Sequence, residues 1–186
     1  MRAIVSGHPQ SGIATQQRLL SRQLGLPVIT IGDAVRAEVD ADTAHGRRFT
    51  AAADRGEPLD DTLLADILAA RLARADTTAG FLLGGLPSTV EQAVLLDQRL
   101  AESDTRLDAI VGLALPVDVI VERLVTSGYP GDPHTLRLRI ERLESLHAPV
   151  LDHYRDRAAQ GRVRLRLVSG TGSVDAVFTR IVAALR

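Results

Sequence analysis

The chain has 186 residues, 22 basic against 23 acidic side chains for a formal charge of −1, and no cysteine. That balance excludes recruitment of nucleic acid or a membrane surface by net charge, and the missing cysteines exclude disulfide, thiolate and Cys-ligated metal chemistry. With 45% hydrophobic and 24% charged residues, the length suits one globular domain with a sizeable core. Residues 2–6 read as a short buried strand. The segment Ser6-Gly7-His8-Pro9-Gln10-Ser11-Gly12-Ile13-Ala14-Thr15 follows, and a helix runs from about Thr15 to Leu24 with Leu19, Leu20 and Leu24 on one face. Pro27 to Ile31 is a second apolar strand, after which Asp33 stands in an N-capping position for a helix through Val35 and Val39. A polar helix over 43–55 ends at Gly56-Glu57-Pro58, and Asp60 caps an amphipathic helix through Leu63, Leu64, Ile67, Leu68 and Leu72.

Gly80 to Leu83 is the third strand, stopped by Gly84-Gly85-Leu86-Pro87, and a helix from Thr89 to about Ala101 carries Val90, Ala93, Val94 and Leu100. Leu107 to Leu115 is too continuously apolar for a one-sided sheet and reads as a central parallel strand. A helix over 117–125, a turn-rich connection over 127–133, and a long helix over about 134–159 come next, with Pro149 a point where that helix can break. Residues 163–168 alternate as an edge strand, and Val174 to Leu185 close the chain as a helix. Strands alternating with helices predict an α/β sandwich around a parallel sheet, with ligands at the carboxyl ends of the strands. No run approaches the ~18 apolar residues of a membrane span, and the N-terminus has no secretory pattern. The expectation is a cytoplasmic protein.

The loop after the first strand has the frame of a phosphate-binding loop, G-x-x-x-x-G-K-[ST], in which backbone N–H groups cradle phosphates and the lysine reaches their oxygens. Gly7 and Gly12 have the right separation, but Ile13 stands at the lysine position. All 22 basic residues are arginine, so no lysine elsewhere can take over. His8 reads as a solvated loop residue. Without a ligand, the segment is a strand-to-helix turn whose helix N-terminus still attracts an anion.

Several segments together resemble the adenylate kinase family of nucleoside monophosphate kinases, short-lid type, in the right order over nearly the whole chain. Gly7, Pro9, Gly12 and Thr15 match its loop G-x-P-G-x-G-K-G-T, and Gly32, Asp33 and Arg36 match T-G-D-x-x-R. Residues 56–61 resemble its G-E/K-L-V-x-D-E, and Gly80 to Thr89 with Gln92 and Ala93 resemble G-F-L-L-D-G-F-P-R-T-x-x-Q-A. Glu122-Arg123-Leu124 is similar to the helix entering its lid, and residues 148–154 to its T-x-P-L-x-x-Y-Y. The resemblance implies a P-loop NTPase-like three-layer sandwich with a five-stranded parallel sheet, a helical NMP-binding insertion at about 31–60 and a short lid at about 127–133, all in one domain over 1–186. It places Gly7, Gly12, Thr15, Arg123 and Gly172 on a donor-nucleotide side. Asp33, Arg36, Leu59, Gly85, Gln92 and Arg139 fall on an acceptor side, and Arg123 and Arg139 are the candidate catalytic residues.

The departures fall on the charged positions. Besides Ile13, Gln10 and Ala14 replace loop glycines, Gly84 replaces the acidic residue that positions Mg²⁺, and Ser88 replaces the arginine after the proline. Ser127 stands for a lid arginine, and Gly128-Tyr129-Pro130-Gly131 for the R-x-D-D entry. Phosphoryl transfer rests on positioning and charge neutralisation, where one cationic group can be worth ~10³-fold or more. The expectation is therefore a pseudoenzyme: an adenylate-kinase-like scaffold, inactive or very weak, that binds nucleotide, AMP-like rather than ATP, with no metal ligands of its own and Mg-ATP as cofactor only if it is active. Two alternatives stay open: an active kinase (ATP + AMP = 2 ADP) with relocated arginines, and a non-catalytic partner subunit presenting the changed surface around Tyr129.

Overall fold

The computed structural model describes residues 1–85 and 87–186. The chain runs β1 (Arg2–Gly7), α1 (Ile13–Leu24), β2 (Val28–Ile29), α2 (Ile31–Asp40), α3 (Ala44–Asp54), α4 (Asp61–Leu72), β3 (Phe81–Gly84), α5 (Val90–Glu102), β4 (Ala109–Ala114), α6 (Val117–Thr126), α7 (Pro133–Ala159), β5 (Arg164–Ser169) and α8 (Val174–Leu185). Every strand pairing is parallel, in the order β2-β3-β1-β4-β5. β1 is the central strand, while the long apolar run around β4 is internal and β5 is an edge, as its alternation predicts. Leu86 of the expected turn lies outside the described residues.

The period of two along each strand divides the core between the two faces of the sheet. Ala3, Val5, Leu82, Val111 and Leu113 face α1 and α8, where Ile13, Leu20, Val177 and Ile181 meet them. Ile4, Phe81, Leu83 and Ile110 face α5 and α7, packing on Ala93, Leu96, Leu100, Val150 and Tyr154. Each of these buried aliphatic or aromatic side chains stabilises the sandwich by roughly 1.5–3 kcal/mol over an exposed one. A third cluster joins α6 to the start of α7 through Ile120, Leu124, Leu136 and Ile140, and a fourth joins α2 to α4 through Ala34, Val35, Leu63 and Ile67.

Local differences from the expected elements have local causes. α1 begins at Ile13, because Gly12 takes a left-handed φ of 77° and turns the chain directly into the helix. β2 pairs only over Val28 and Ile29, since the Thr30 hydroxyl accepts the Asp33 N–H and starts α2 at Ile31. Asp33 is thus not the N-cap; it sits in the first turn of a helix capped by Thr30. Pro149 does not break α7, which continues to Ala159. Leu24, Val39 and Val94 are exposed, their positions turned off the faces marked by Leu20, Val35 and Ala93. Asp60 does cap α4, accepting from the Thr62 N–H.

Candidate active site

Two features meet at the carboxyl ends of β1, β2 and β3: the loop over residues 8–12 and an apolar recess. The loop is closed on itself. The Ser11 N–H donates to the His8 carbonyl at 2.8 Å and the Gln10 N–H to His8 Nδ1 at 3.1 Å, while Pro9 has no N–H to offer. Among the described residues, the Gly12, Ile13 and Ala14 N–H groups at the start of α1 have no acceptor. The glycine frame therefore keeps an anion-binding helix end, while the Gln10 and Ser11 amides are turned inward to His8.

Ile13 does not reach toward that space. It is 9% exposed and packs into the core between the sheet, α1 and α8. Ser11 is also buried, with its Oγ turned under the loop toward Gly7, where an added Cβ would lie 2.8 Å from it. Arg123 brings a cation to the loop: its Nη1 donates to the Gln10 carbonyl at 2.6 Å. Arg36 is instead paired with Asp33 on the exposed start of α2, and Arg139 donates to the Tyr129 hydroxyl at 3.2 Å. The Asp33 carboxyl is held below its ordinary range, first by the Thr30 hydroxyl and then by Arg36. The Thr15 hydroxyl accepts from Arg18, and Gly172, at a left-handed φ of 102°, lies beside Arg180.

A metal carried by a nucleoside triphosphate does not fit the residues present. Position 84 offers no carboxylate, and an added Cβ there would stand 3.0 Å from Thr30 Cγ2 and 3.3 Å from Gln17 Nε2, contacts from which those side chains would have to give by a few tenths of an ångström. Gln17 is fixed there by donating to the Val5 carbonyl at 2.8 Å. Among the described residues, no three His, Asp or Glu side chains converge to hold a metal ion. Gln17 is one turn beyond Ile13, at i+4, so the two side chains lie on the same stretch of α1.

The recess is a cavity of about 180 Å³ lined mainly by Ile29, Leu64, Leu68, Leu83 and Leu96. Its polar groups form a short chain: the Ser88 N–H donates to Gln92 Oε1 at 2.7 Å, and Gln92 Nε2 donates to Asp61 Oδ1 at 2.7 Å. An apolar slot with a few convergent polar groups is the form a small-molecule site takes. Of the acceptor-side residues, Gly85 and Gln92 line it, with Ser88 beside them. Asp33, Arg36, Leu59 and Arg139 do not line it; Leu59 is 39% exposed. The contacts of Asp61 and Gln17 escape a reading of the sequence. Asp61 passes as a first-turn carboxylate on α4, and nothing local ties it to Gln92, 31 residues away.

His8 gives a direct check on the loop. Partial burial holds its pKa below 6.5, and its Nδ1 is an acceptor only while unprotonated. The folded chain then binds fewer protons than the unfolded chain below that value. The contribution of His8 to stability is full above its ordinary pKa and is drawn down as the pH falls through its lowered folded value. An NMR titration is expected to place the His8 midpoint below 6.5, with the Gln10 amide shifting in step; a midpoint at or above 6.5 refutes the closed loop.

Comparison with known proteins agrees with the fold. The family model described as adenylate kinase matches residues 5–159. An adenylate kinase of Corynebacterium urealyticum is 36% identical over 186 residues, covering 100% of this chain and 99% of that protein. One of Rhodococcus erythropolis is 36% identical over 188 residues, covering 100% of this chain and 99% of that protein, and one of Stenotrophomonas maltophilia is 36% identical over 191 residues, covering the whole of both chains. Among the described residues, no helix is long and apolar enough to cross a membrane. With the parallel sheet, the loop after β1 and end-to-end matches to these relatives, the chain belongs to the adenylate kinase family.

Proposed function

We propose that this protein is a nucleotide-binding pseudoenzyme of the adenylate kinase fold, one that does not transfer phosphate at a useful rate and retains the acceptor half of the site. The observation that carries this reading is Ile13 packed into the core where the loop lysine would reach phosphate, with Gln17 filling the space beside Gly84. Aimed donors stabilise the developing charge more than any other single effect in this kind of chemistry, ~3–4 kcal/mol for one such group. Several are missing together. What remains, the recess with Gly85 and Gln92, is apolar and shaped for a base or another flat small ring rather than for a triphosphate.

In this reading residues 31–60 act as the NMP-binding insertion, bringing Asp33, Arg36 and Leu59 toward the acceptor. Residues 127–133 act as a short lid, with Arg139 behind it. AMP-like ligands are preferred to ATP. The test is a calorimetric titration with AMP and ATP, each with and without Mg²⁺. AMP is expected to bind with an affinity unchanged by Mg²⁺ and higher than that of ATP; ATP binding that is tighter than AMP and Mg²⁺-dependent overturns the reading. A second reading, an active kinase using relocated arginines, draws on the Arg123 contact with the Gln10 carbonyl. Arg123 is one cation already engaged with a neutral acceptor, and Arg36 and Arg139 are committed elsewhere.

A further inference from the structure

The opposite end of the sheet, at the amino ends of β4 and β5, holds a second recess that the nucleotide site does not use. Arg106 precedes β4 and Arg162 precedes β5. Both line an enclosed cavity of about 60 Å³ and the open groove of about 470 Å³ that shares their walls. Among the described residues, neither guanidinium makes an ion pair. Arg164 and Arg166 lie further along the groove; Arg164 donates to the Arg186 main-chain oxygen at 2.5 Å and Arg166 to the Leu165 carbonyl at 3.1 Å.

Tyr154 closes the inner end. It is 0% exposed, with its ring in the core beneath β3 and β4, and its hydroxyl lacks any hydrogen-bond partner. A buried hydroxyl left unpaired is destabilising, so an occupant of the cavity that accepts its proton is favoured. Burial and the nearby Asp97 carboxylate raise its pKa, so it stays a donor. Asp97 lines the enclosed cavity and is already held by Arg157 Nε and His153 Nε2, each at 3.1 Å, while Asp108 lines the groove and accepts from the Arg2 N–H at 2.7 Å. The last turns of α5 and α7 end beside this recess, and their carbonyl ends favour cations. Arg99 and Arg157 answer that need from within those turns. Arg106 and Arg162 remain uncommitted, two positive charges beside a donor with nothing to receive it.

We propose that this recess is a second ligand site, for the phosphate group of a small molecule, in which Arg106 and Arg162 hold the oxyanion and the Tyr154 hydroxyl donates to it. Guanidinium forks suit phosphate oxygens. The groove toward Arg164 and Arg166 leaves room for whatever the phosphate is attached to. The site is separate from the recess at Gln92 and stands whether or not the acceptor reading holds.

The test is a titration of the full chain with inorganic phosphate and with ribose 5-phosphate, followed by thermal shift and calorimetry against sodium chloride at matched ionic strength. Phosphate is expected to raise the melting temperature beyond the chloride control. The Arg106→Ala/Arg162→Ala double variant, which alters exposed side chains only, is expected to lose that response. Tyr154→Phe, which keeps the ring, is expected to weaken binding about tenfold, and Arg123→Ala is expected to leave it unchanged. Tighter binding of ribose 5-phosphate identifies an organic phosphate, and tighter binding of inorganic phosphate identifies the free ion; either supports the site. No response beyond chloride overturns it. So does a response that survives the double arginine variant but disappears with Arg123→Ala, and so does unchanged binding in Tyr154→Phe.

Discussion

Ile13→Lys is expected to leave ATP- and AMP-dependent phosphoryl transfer at background and to cost the fold about 1–3 kcal/mol. The stability loss follows from placing an ammonium, or the strain of turning it outward, at a position that is 9% exposed and packed against both α8 and the sheet. The failure to rescue follows from the neighbours. A lysine at 13 would still face a site with no carboxylate at 84, no arginine at 88, and an amide from Gln17 resting over Gly84. Charges that act on one transition state are strongly non-additive, so restoring one recovers little while the others are absent. The set Ile13→Lys, Gly84→Asp and Ser88→Arg is expected to stay poor until Gln17→Ala clears the space its side chain fills. A coupled assay for ADP formation, with melting temperatures measured in parallel, checks both parts. If Ile13→Lys alone reaches the ~1–100 s⁻¹ usual for kinases, the remaining substitutions are not what silences the site.

Ala65→Phe is expected to weaken AMP binding by about 100-fold or more, a change worth about 2.8 kcal/mol. Ala65 is 9% exposed on α4 and lines the cavity of about 180 Å³ beside Leu64 and Leu68. A phenyl ring there has an existing void to enter, so the overpacking penalty should stay toward the low end of ~1–3 kcal/mol, and the fold should survive. Calorimetry with AMP reads the first effect and thermal unfolding the second. Gln92→Ala provides the complementary loss: it removes the link between the Ser88 N–H and Asp61 without filling the recess. A folded Ala65→Phe protein that binds AMP as the parent does would place the nucleotide elsewhere.

The two predictions probe regions that are packed differently. Around the loop, Ile13 joins an apolar cluster and Gln17 donates to the Val5 carbonyl. Beside it, the recess between α4, α5 and β3 is open to solvent, with an apolar lining and the Ser88–Gln92–Asp61 chain at its edge.

The order of elements, the parallel sheet and the altered positions in the phosphate loop could all be read from the amino-acid string. These depend on local signals: a period of two in the strands, the Asp60 cap, and the spacing of Gly7 and Gly12. Gln92 and Gly85 were marked in the same way, because their place in a known pattern is local too. It took the folded chain to pair Asp61 with Gln92, to bring Arg123 to the Gln10 carbonyl across 113 residues, and to lay Gln17 in the place beside Gly84. Each joins different elements of the fold through side chains that, read singly, pass for ordinary helix-surface residues. Asp33 shows the same limit at short range: Asp33 and Thr30 both fit a capping role, and the choice between them was made by the point at which β2 stops pairing with β3. The loop at Gly12 was legible as a phosphate loop without its lysine; that its isoleucine is built into the core, and so cannot simply be exchanged, was not.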